Sequence, residues 1–126
     1  RLGISNKIMF LGTRQDVPEL LKTIDLFVLP TIYEGMSNAI LEAMASRCAI
    51  ITTDIPENKE LITHRKEGLL VKTKNPMALA TAIVNLIKNK RLRISFSRNA
   101  YKKVKEKVDI RYTIKNYEGL YNKCAV

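Results

Sequence analysis

Two glutamates eight positions apart, Glu34 and Glu42, bracket the segment of this sequence best equipped for chemistry. Around them the chain reads Pro30-Thr31-Ile32-Tyr33-Glu34-Gly35-Met36-Ser37-Asn38-Ala39-Ile40-Leu41-Glu42-Ala43. A carboxylate and a glycine run straight into a helical pattern that Ser37 is suited to cap. The first backbone N–H groups of that helix, near Asn38 to Ile40, lack partners within the helix and carry the positive end of its dipole. Helix starts of this kind attract phosphate. Gly35 can take backbone angles that other residues avoid, or let a ligand approach closely. At about 100° per residue, Asn38, Ala39, Glu42, Ala45 and Ser46 share one side of the helix, and Ile40, Leu41 and Met44 the other. The bulky side suits burial, and the small side leaves room for a ligand beside one carboxylate. Each glutamate also has a plainer role open to it. Glu42, near a helix start, favours the dipole, and Glu34 reads equally as a solvated loop residue.

Other reactive side chains form no constellation. His64, the single histidine, sits between Thr63 and Arg65 in a polar, basic turn and reads as an exposed side chain. Cys48 opens an apolar run and Cys124 lies near the end of an amphipathic stretch. Without paired-ligand spacing they read as inert thiols of a reducing, cytoplasmic compartment. No two carboxylates stand one residue apart, and His, Cys and Asp do not cluster along the chain. No metal and no cofactor are expected.

Presenting the Glu34–Glu42 segment needs a frame. Four short apolar runs, residues 7–12, 26–30, 48–53 and 68–71, are nearly continuous in hydrophobicity, the mark of strands buried on both faces of a parallel sheet. Helical patterns separate them at residues 18–23 and 37–46, with a short turn of helix over 57–63. This alternation predicts an α/β fold with a four-stranded parallel sheet and right-handed crossovers. Ligands of such sheets bind beyond the carboxyl ends of the strands, which selects the loops at 12–16, 30–37, 53–58 and 72–75. From about residue 76 to 126 the pattern is purely helical, with Asn75 as cap and Pro76 in the first turn. Met77, Ala80, Ile83 and Ile87 form one stripe. Leu92, Phe96, Ala100, Val104 and Val108 form a second, and Ile110, Ile114, Tyr117, Tyr121 and Cys124 a third. Core packing is sufficient to explain all three.

A length of 126 residues fits one domain, and 46% hydrophobic residues suffice for its core. No apolar run approaches bilayer thickness and no leader pattern opens the chain. The first residue is Arg1, so the sequence reads as a segment of a longer protein. The formal charge of +10 is uneven: residues 1–84 hold ten Lys/Arg and nine Asp/Glu, whereas residues 85–126 hold twelve and three. Such a basic tail suits an anionic membrane, an acidic partner or a solvated surface. Nucleic acid fits least, because the tyrosines sit on the apolar stripe and do not interleave with the basic residues.

The spacing of the two glutamates within this order of strands resembles family 4 of the retaining glycosyltransferases. Phe10-Leu11-Gly12, Asp25-Leu26-Phe27-Val28-Leu29-Pro30, Glu34 through Ala43, Ala49-Ile50-Ile51-Thr52-Thr53, Glu57, Glu60-Leu61-Ile62 and Gly68-Leu69-Leu70-Val71 all fit it. The resemblance implies the GT-B architecture, two Rossmann-like domains facing a cleft. Residues 1–126 would be the doubly wound, donor-binding domain, truncated on its N-terminal side. It implies that Glu34 approaches hydroxyls of the transferred sugar, as the catalytic candidate. Backbone N–H groups of Met36, Ser37 and Asn38, with Gly35 and Ala39 beside them, hold sugar oxygens and the distal phosphate. Glu42 accepts both ribose hydroxyls, and Gly12, Thr13 and Arg14 lie beside the base. A carboxylate, with two acceptor oxygens, suits a vicinal diol. Helix-start N–H groups suit a pyrophosphate that gains charge as it leaves. Met36 and Ser37 replace a common aromatic and glycine, Arg47 stands where glycine is common, and residues 54–57 lack the usual glycines. The basic pair that grips the pyrophosphate in the family is expected upstream of Arg1.

The leading expectation is therefore the donor half of a glycosyltransferase that moves a sugar from a nucleotide-diphosphate sugar with retention. Its partners would be the nucleotide sugar and an N-terminal acceptor domain of the same protein, and the segment alone is expected to be inactive. The alternative is a non-catalytic Rossmann-like module docking a partner or an anionic membrane, peripherally, through its basic helices.

Overall fold

The computed structural model describes residues 3–107. Its centre is a parallel sheet of three strands in the order β1-β2-β3, with β1 at Leu26–Leu29, β2 at Ala49–Thr53 and β3 at Gly68–Val71. All five residues of the middle strand are buried, so its sequence carries no polar alternation. Leu29 lies level with Thr52, and Thr53 with Val71. Gly68 begins β3 because nothing larger fits: a Cβ there would stand 2.5 Å from the Ile50 carbonyl oxygen.

Helices cover both faces. On one, α1 (Val17–Leu21), α2 (Asn38–Ala45), α3 (Pro56–Leu61) and the later part of α5 (Lys90–Lys107) close over Phe27, Leu29, Ile50 and Leu70. On the other, α4 (Pro76–Lys88) and the earlier part of α5 close over Leu26, Val28, Ile51, Leu69 and Val71. The expected doubly wound α/β architecture is present. Apolar burial of each strand residue between two helical layers supplies the driving force, at about 25 cal/mol per Å² of apolar surface. Among the described residues no helix is long and apolar enough to cross a membrane.

Two expectations need correction. Residues 7–12 are not a strand. Ser5–Lys7 make a 3-10 turn, and the following run pairs with nothing among the described residues, leaving Met9 80% and Phe10 95% exposed. An apolar run becomes a strand only where neighbouring backbone groups complete its ladder. The stripe on α4 is also out of phase. Its buried residues are Ala82 and Leu86, with Ala78, Leu79 and Ile83 packed beside them, while Met77 and Ile87 face out. Both sides of this helix are apolar, so periodicity did not choose between them. The second stripe is as expected at Leu92, Phe96, Ala100 and Val104. Val108 and the whole third stripe, Ile110 to Cys124, lie outside the described residues.

The 18-residue α5 runs beneath the amino ends of the strands. Its Arg93 approaches Asp25, just before β1, at 3.6 Å. Tyr101 receives the Arg47 guanidinium, just before β2, at 4.2 Å from its ring centre. Ahead of β3, Asn99 donates to the Lys66 carbonyl at 2.9 Å and Lys103 meets buried Glu67 at 3.5 Å. Arg93 also donates to the last carbonyls of α4, Leu86 and Ile87, at 2.6 Å each, which suits a cation at a helix C-terminus.

Candidate functional site

Beyond Leu29 the chain leaves the sheet, because Pro30 has no N–H for the ladder. Thr31 keeps the departing loop close: its carbonyl accepts from the Thr53 hydroxyl, and its own hydroxyl donates to the Tyr33 carbonyl at 2.8 Å. Ser37 then caps α2 as expected, with extended backbone and its hydroxyl oxygen accepting from the Ile40 N–H at 3.4 Å, a long bond. That bond removes Ile40 from the N–H groups expected to face a ligand. The N–H groups of Asn38 and Ala39 keep no protein partner among the described residues.

Ile40, Ala43 and Met44 bury the inner side of α2 against Leu21, Cys48 and Ile50. Asn38, Glu42 and Ala45 are exposed, and Ala39 and Ser46 are half-buried. Glu34 is half-buried in the loop. Neither the Glu34 nor the Glu42 carboxylate has an ion-pair or hydrogen-bond partner among the described residues. Gly35 departs from expectation in one respect. Its φ is not left-handed, so it does not use glycine's conformational freedom. A Cβ there would meet nothing within 4 Å, so its surroundings are open to a ligand.

The end of α2 is as well determined as its start. Arg47 takes the left-handed conformation at φ 60°, the Cys48 N–H bonds the Ala43 carbonyl at 3.0 Å, and the Arg47 N–H bonds that of Met44 at 3.2 Å. These paired bonds form a Schellman motif. Glycine usually fills the left-handed position, which explains why a glycine is common there and an arginine unusual. The Cys48 thiol donates to the Leu21 carbonyl at 2.9 Å, and burial pushes its pKa up, consistent with an unreactive thiol.

The stretch Gly12-Thr13-Arg14 is exposed, with Gly12 at φ 63°. Arg14 forks onto the Asp16 carboxylate. This hydrogen-bonded pair raises the guanidinium pKa and lowers that of Asp16 below the usual carboxylate range. It also leaves Asp16, at the cap position of α1, with no side-chain bond to that helix. No hydrogen bond or ion pair joins this stretch to Glu34 or Glu42.

At the carboxyl ends of the three strands, a cavity of about 250 Å³ is lined by Pro30, Ile32, Thr53, Val71, Lys72, Lys74, Asn75, Pro76 and Leu79. Lys72 and Lys74 are the charged residues of its lining. Neither glutamate lines it; they flank the adjacent start of α2. Sequence reasoning missed Thr53, Lys72 and Lys74 as side chains at this crevice, although it had selected the loops that follow β2 and β3. It also missed Asn58, fully buried on α3, whose amide nitrogen donates to the Thr52 hydroxyl at 2.8 Å and the Thr53 carbonyl at 3.0 Å. A polar asparagine within Pro56-Glu57-Asn58-Lys59-Glu60 gave no sign of burial. A second cavity, about 290 Å³, lies at the opposite end, walled by Lys66, Glu67, Lys102 and Lys103.

Residues 1–89 match the family model described as glycosyl transferases group 1. Among curated proteins, the chain is 38% identical over 96 residues to the N,N'-diacetylbacillosaminyl-diphospho-undecaprenol alpha-1,3-N-acetylgalactosaminyltransferase of Campylobacter jejuni, covering 76% of this chain and 26% of that enzyme. It is 31% identical over 120 residues to the UDP-Gal:alpha-D-GlcNAc-diphosphoundecaprenol alpha-1,3-galactosyltransferase of Escherichia coli, covering 95% and 31%. The chain thus spans about a third or less of these relatives. Among solved structures, HepE of Anabaena in complex with UDP superposes with a TM-score of 0.90 at 26% identity, covering 97% of this chain and 34% of that one. The same protein has also been solved with UDP-glucose.

Proposed function

This chain belongs to the group 1 glycosyltransferases, and from that premise we propose that it forms the donor site of a longer enzyme, one that moves a sugar from a nucleotide-diphosphate sugar to an acceptor with retention. One observation carries the reading: two carboxylates without partners among the described residues, Glu34 and Glu42, flank the amino terminus of α2 at the carboxyl end of a parallel sheet. In this reading Glu42 accepts the two ribose hydroxyls and Glu34 the hydroxyls of the transferred sugar. The Met36, Ser37 and Asn38 N–H groups, joined by that of Ala39, receive the distal phosphate. As the glycosidic bond breaks, charge grows on the pyrophosphate, where preorganised N–H dipoles stabilise the transition state more than the ground state. The helix start and basic groups elsewhere in the longer protein take the role a metal plays in other transferases.

The full-length enzyme tests this. Incubated with a panel of nucleotide sugars and lipid-diphosphate acceptors in the presence of a chelator, it yields product by mass spectrometry, and the anomeric proton coupling of the product reports the donor's configuration. Inversion, or loss of turnover with the chelator, contradicts the mechanism; no turnover with any donor contradicts the function.

A non-catalytic module is less well supported, since the named relatives are transferases. Peripheral membrane docking remains compatible with the enzyme. It is favoured by Ile87, 58% exposed, and Ile94, 47% exposed, beside Lys90, Arg91 and Arg98, which form no ion pair among the described residues. Binding to anionic vesicles then falls steeply between low and physiological salt. Equal binding to neutral and anionic vesicles contradicts it.

A further inference from the structure

The loop that carries Glu34 has no ladder to hold it, yet it is tied to the core by a chain of side-chain hydrogen bonds. Asn58 begins the chain. Its amide nitrogen has two hydrogens, and the two nearest acceptors are the Thr52 hydroxyl at 2.8 Å and the Thr53 carbonyl at 3.0 Å. The carbonyl can only accept, so the nitrogen of the amide must face it. With that hydroxyl oxygen accepting from Asn58, Thr52 donates its hydrogen to the Leu29 carbonyl, the last residue of β1, at 2.9 Å. Thr53 donates to the Thr31 carbonyl, one residue past Pro30. Thr31 in turn donates to the Tyr33 carbonyl at 2.8 Å, immediately before Glu34.

Asn58 is fully buried, and its Oδ1 has no donor among the described residues. An apolar side chain of similar size would spare the fold that unmet acceptor. The asparagine is therefore better explained by what its nitrogen holds than by stability. Thr52 and Thr53 are buried too, so the links from Asn58 through Thr53 are shielded from competing water.

We propose that Asn58, Thr53 and Thr31 are positioning residues that fix the Glu34 loop against the sheet, and so set where Glu34 meets the transferred sugar. This rests on the donor-site reading above. Glu42, carried by α2, is outside the strut, so nucleotide affinity and turnover respond differently when the strut is cut.

The test uses the full-length enzyme. Thr53→Val deletes the hydroxyl at nearly constant shape, and Thr53→Ser keeps it. Thr53→Val lowers kcat about ten- to a hundredfold, the scale of a small misplacement at a reacting centre. Bare-nucleotide Kd stays within about threefold, and Thr53→Ser restores kcat to within about threefold of wild type. Wild-type kcat in Thr53→Val, a loss that Ser does not restore, or an equal loss in nucleotide affinity overturns the proposal. If Thr53→Val does not accumulate as folded protein, Thr31→Val cuts the last link nearer the surface, with the same pattern expected and the same outcomes overturning it. Amide hydrogen exchange across residues 30–37 gives a readout independent of turnover. It rises at least about threefold in Thr53→Val, or in Thr31→Val where that variant is used, while β2 is unchanged; unchanged exchange in the loop overturns the strut. If wild type transfers no sugar, the donor-site reading has failed and the exchange result alone decides the strut.

Discussion

The two ends of the sheet are built for different purposes. At the amino end, α5 lies beneath all three strands and meets the residue or turn before each: Asp25 through Arg93, Arg47 through Tyr101, and Lys66 and Glu67 through Asn99 and Lys103. Two basic residues of α5, Arg93 and Lys103, are thus engaged inside the domain. At the carboxyl end the loops are left open. Glu34 and Glu42 have no protein partner among the described residues, the Asn38 and Ala39 N–H groups are unclaimed, and Ile32, Tyr33 and Met36 are 63%, 82% and 74% exposed. Where polar groups are paired, the sheet end contributes stability. Where they are left unpaired at a helix start, the fold forgoes local satisfaction and keeps a place for a ligand.

That contrast can be broken by variants at the amino end. Glu67→Gln keeps an acceptor for the Thr63 N–H, now bonded to Glu67 at 2.8 Å, but removes the charge opposite Lys103. The Glu67 side chain is 4% exposed and that of Lys103 17%, so the lost pair costs about 1–3 kcal/mol of folding stability, less than a wholly buried pair. Urea unfolding measures it. Nucleotide affinity stays within about twofold, and a loss of affinity as large as the loss of stability would erase the distinction between the two ends. Arg47→Gly sharpens the same comparison at a smaller scale. It relieves a left-handed arginine, worth about 1 kcal/mol, and loses a cation–π contact worth about 0.5–1 kcal/mol. The net change in unfolding free energy is within about 0.5 kcal/mol. A loss above about 1 kcal/mol would mean that the Tyr101 contact holds α5 more firmly than its exposed-site energy implies.

Much of this plan was legible in the sequence, for definite reasons. Residues 48–53 read as a strand buried on both faces because the run is nearly continuous in hydrophobicity, and the middle strand occupies 49–53. Ser37 and Asn75 read as caps because each precedes a helical pattern, and both side chains do accept from the first turn. What failed depended on partners that local sequence does not contain. Residues 7–12 have strand composition but no neighbour among the described residues. On α4, Met77 and Ile87 are as apolar as Leu79 and Leu86, and only the packed sheet decides which pair faces the core. Asn58, set among charged neighbours, carries no local signal of burial. It is buried where its amide meets the two threonines that close β2, six and five residues earlier, and neither helix nor strand periodicity registers a contact between a strand end and the helix that follows it. The glutamates were located correctly on a loop and on the open face of α2, but their ligand roles rest on chemistry and resemblance, and those roles need a direct test.

Calorimetric titration of the full-length enzyme and its Glu42→Gln variant, with the bare nucleoside diphosphate and with the nucleotide sugar, supplies it. The substitution keeps shape but replaces one acceptor oxygen with a donor. A charge-assisted bond to the ribose diol is then lost, worth about 1.5–3 kcal/mol, or roughly ten- to a hundredfold in Kd. Both ligands contain the ribose, so the account predicts the same loss for both, with no loss of thermal stability. If Glu42→Gln binds the bare nucleotide as tightly as wild type does, Glu42 is a helix-surface residue and the donor site does not lie on α2.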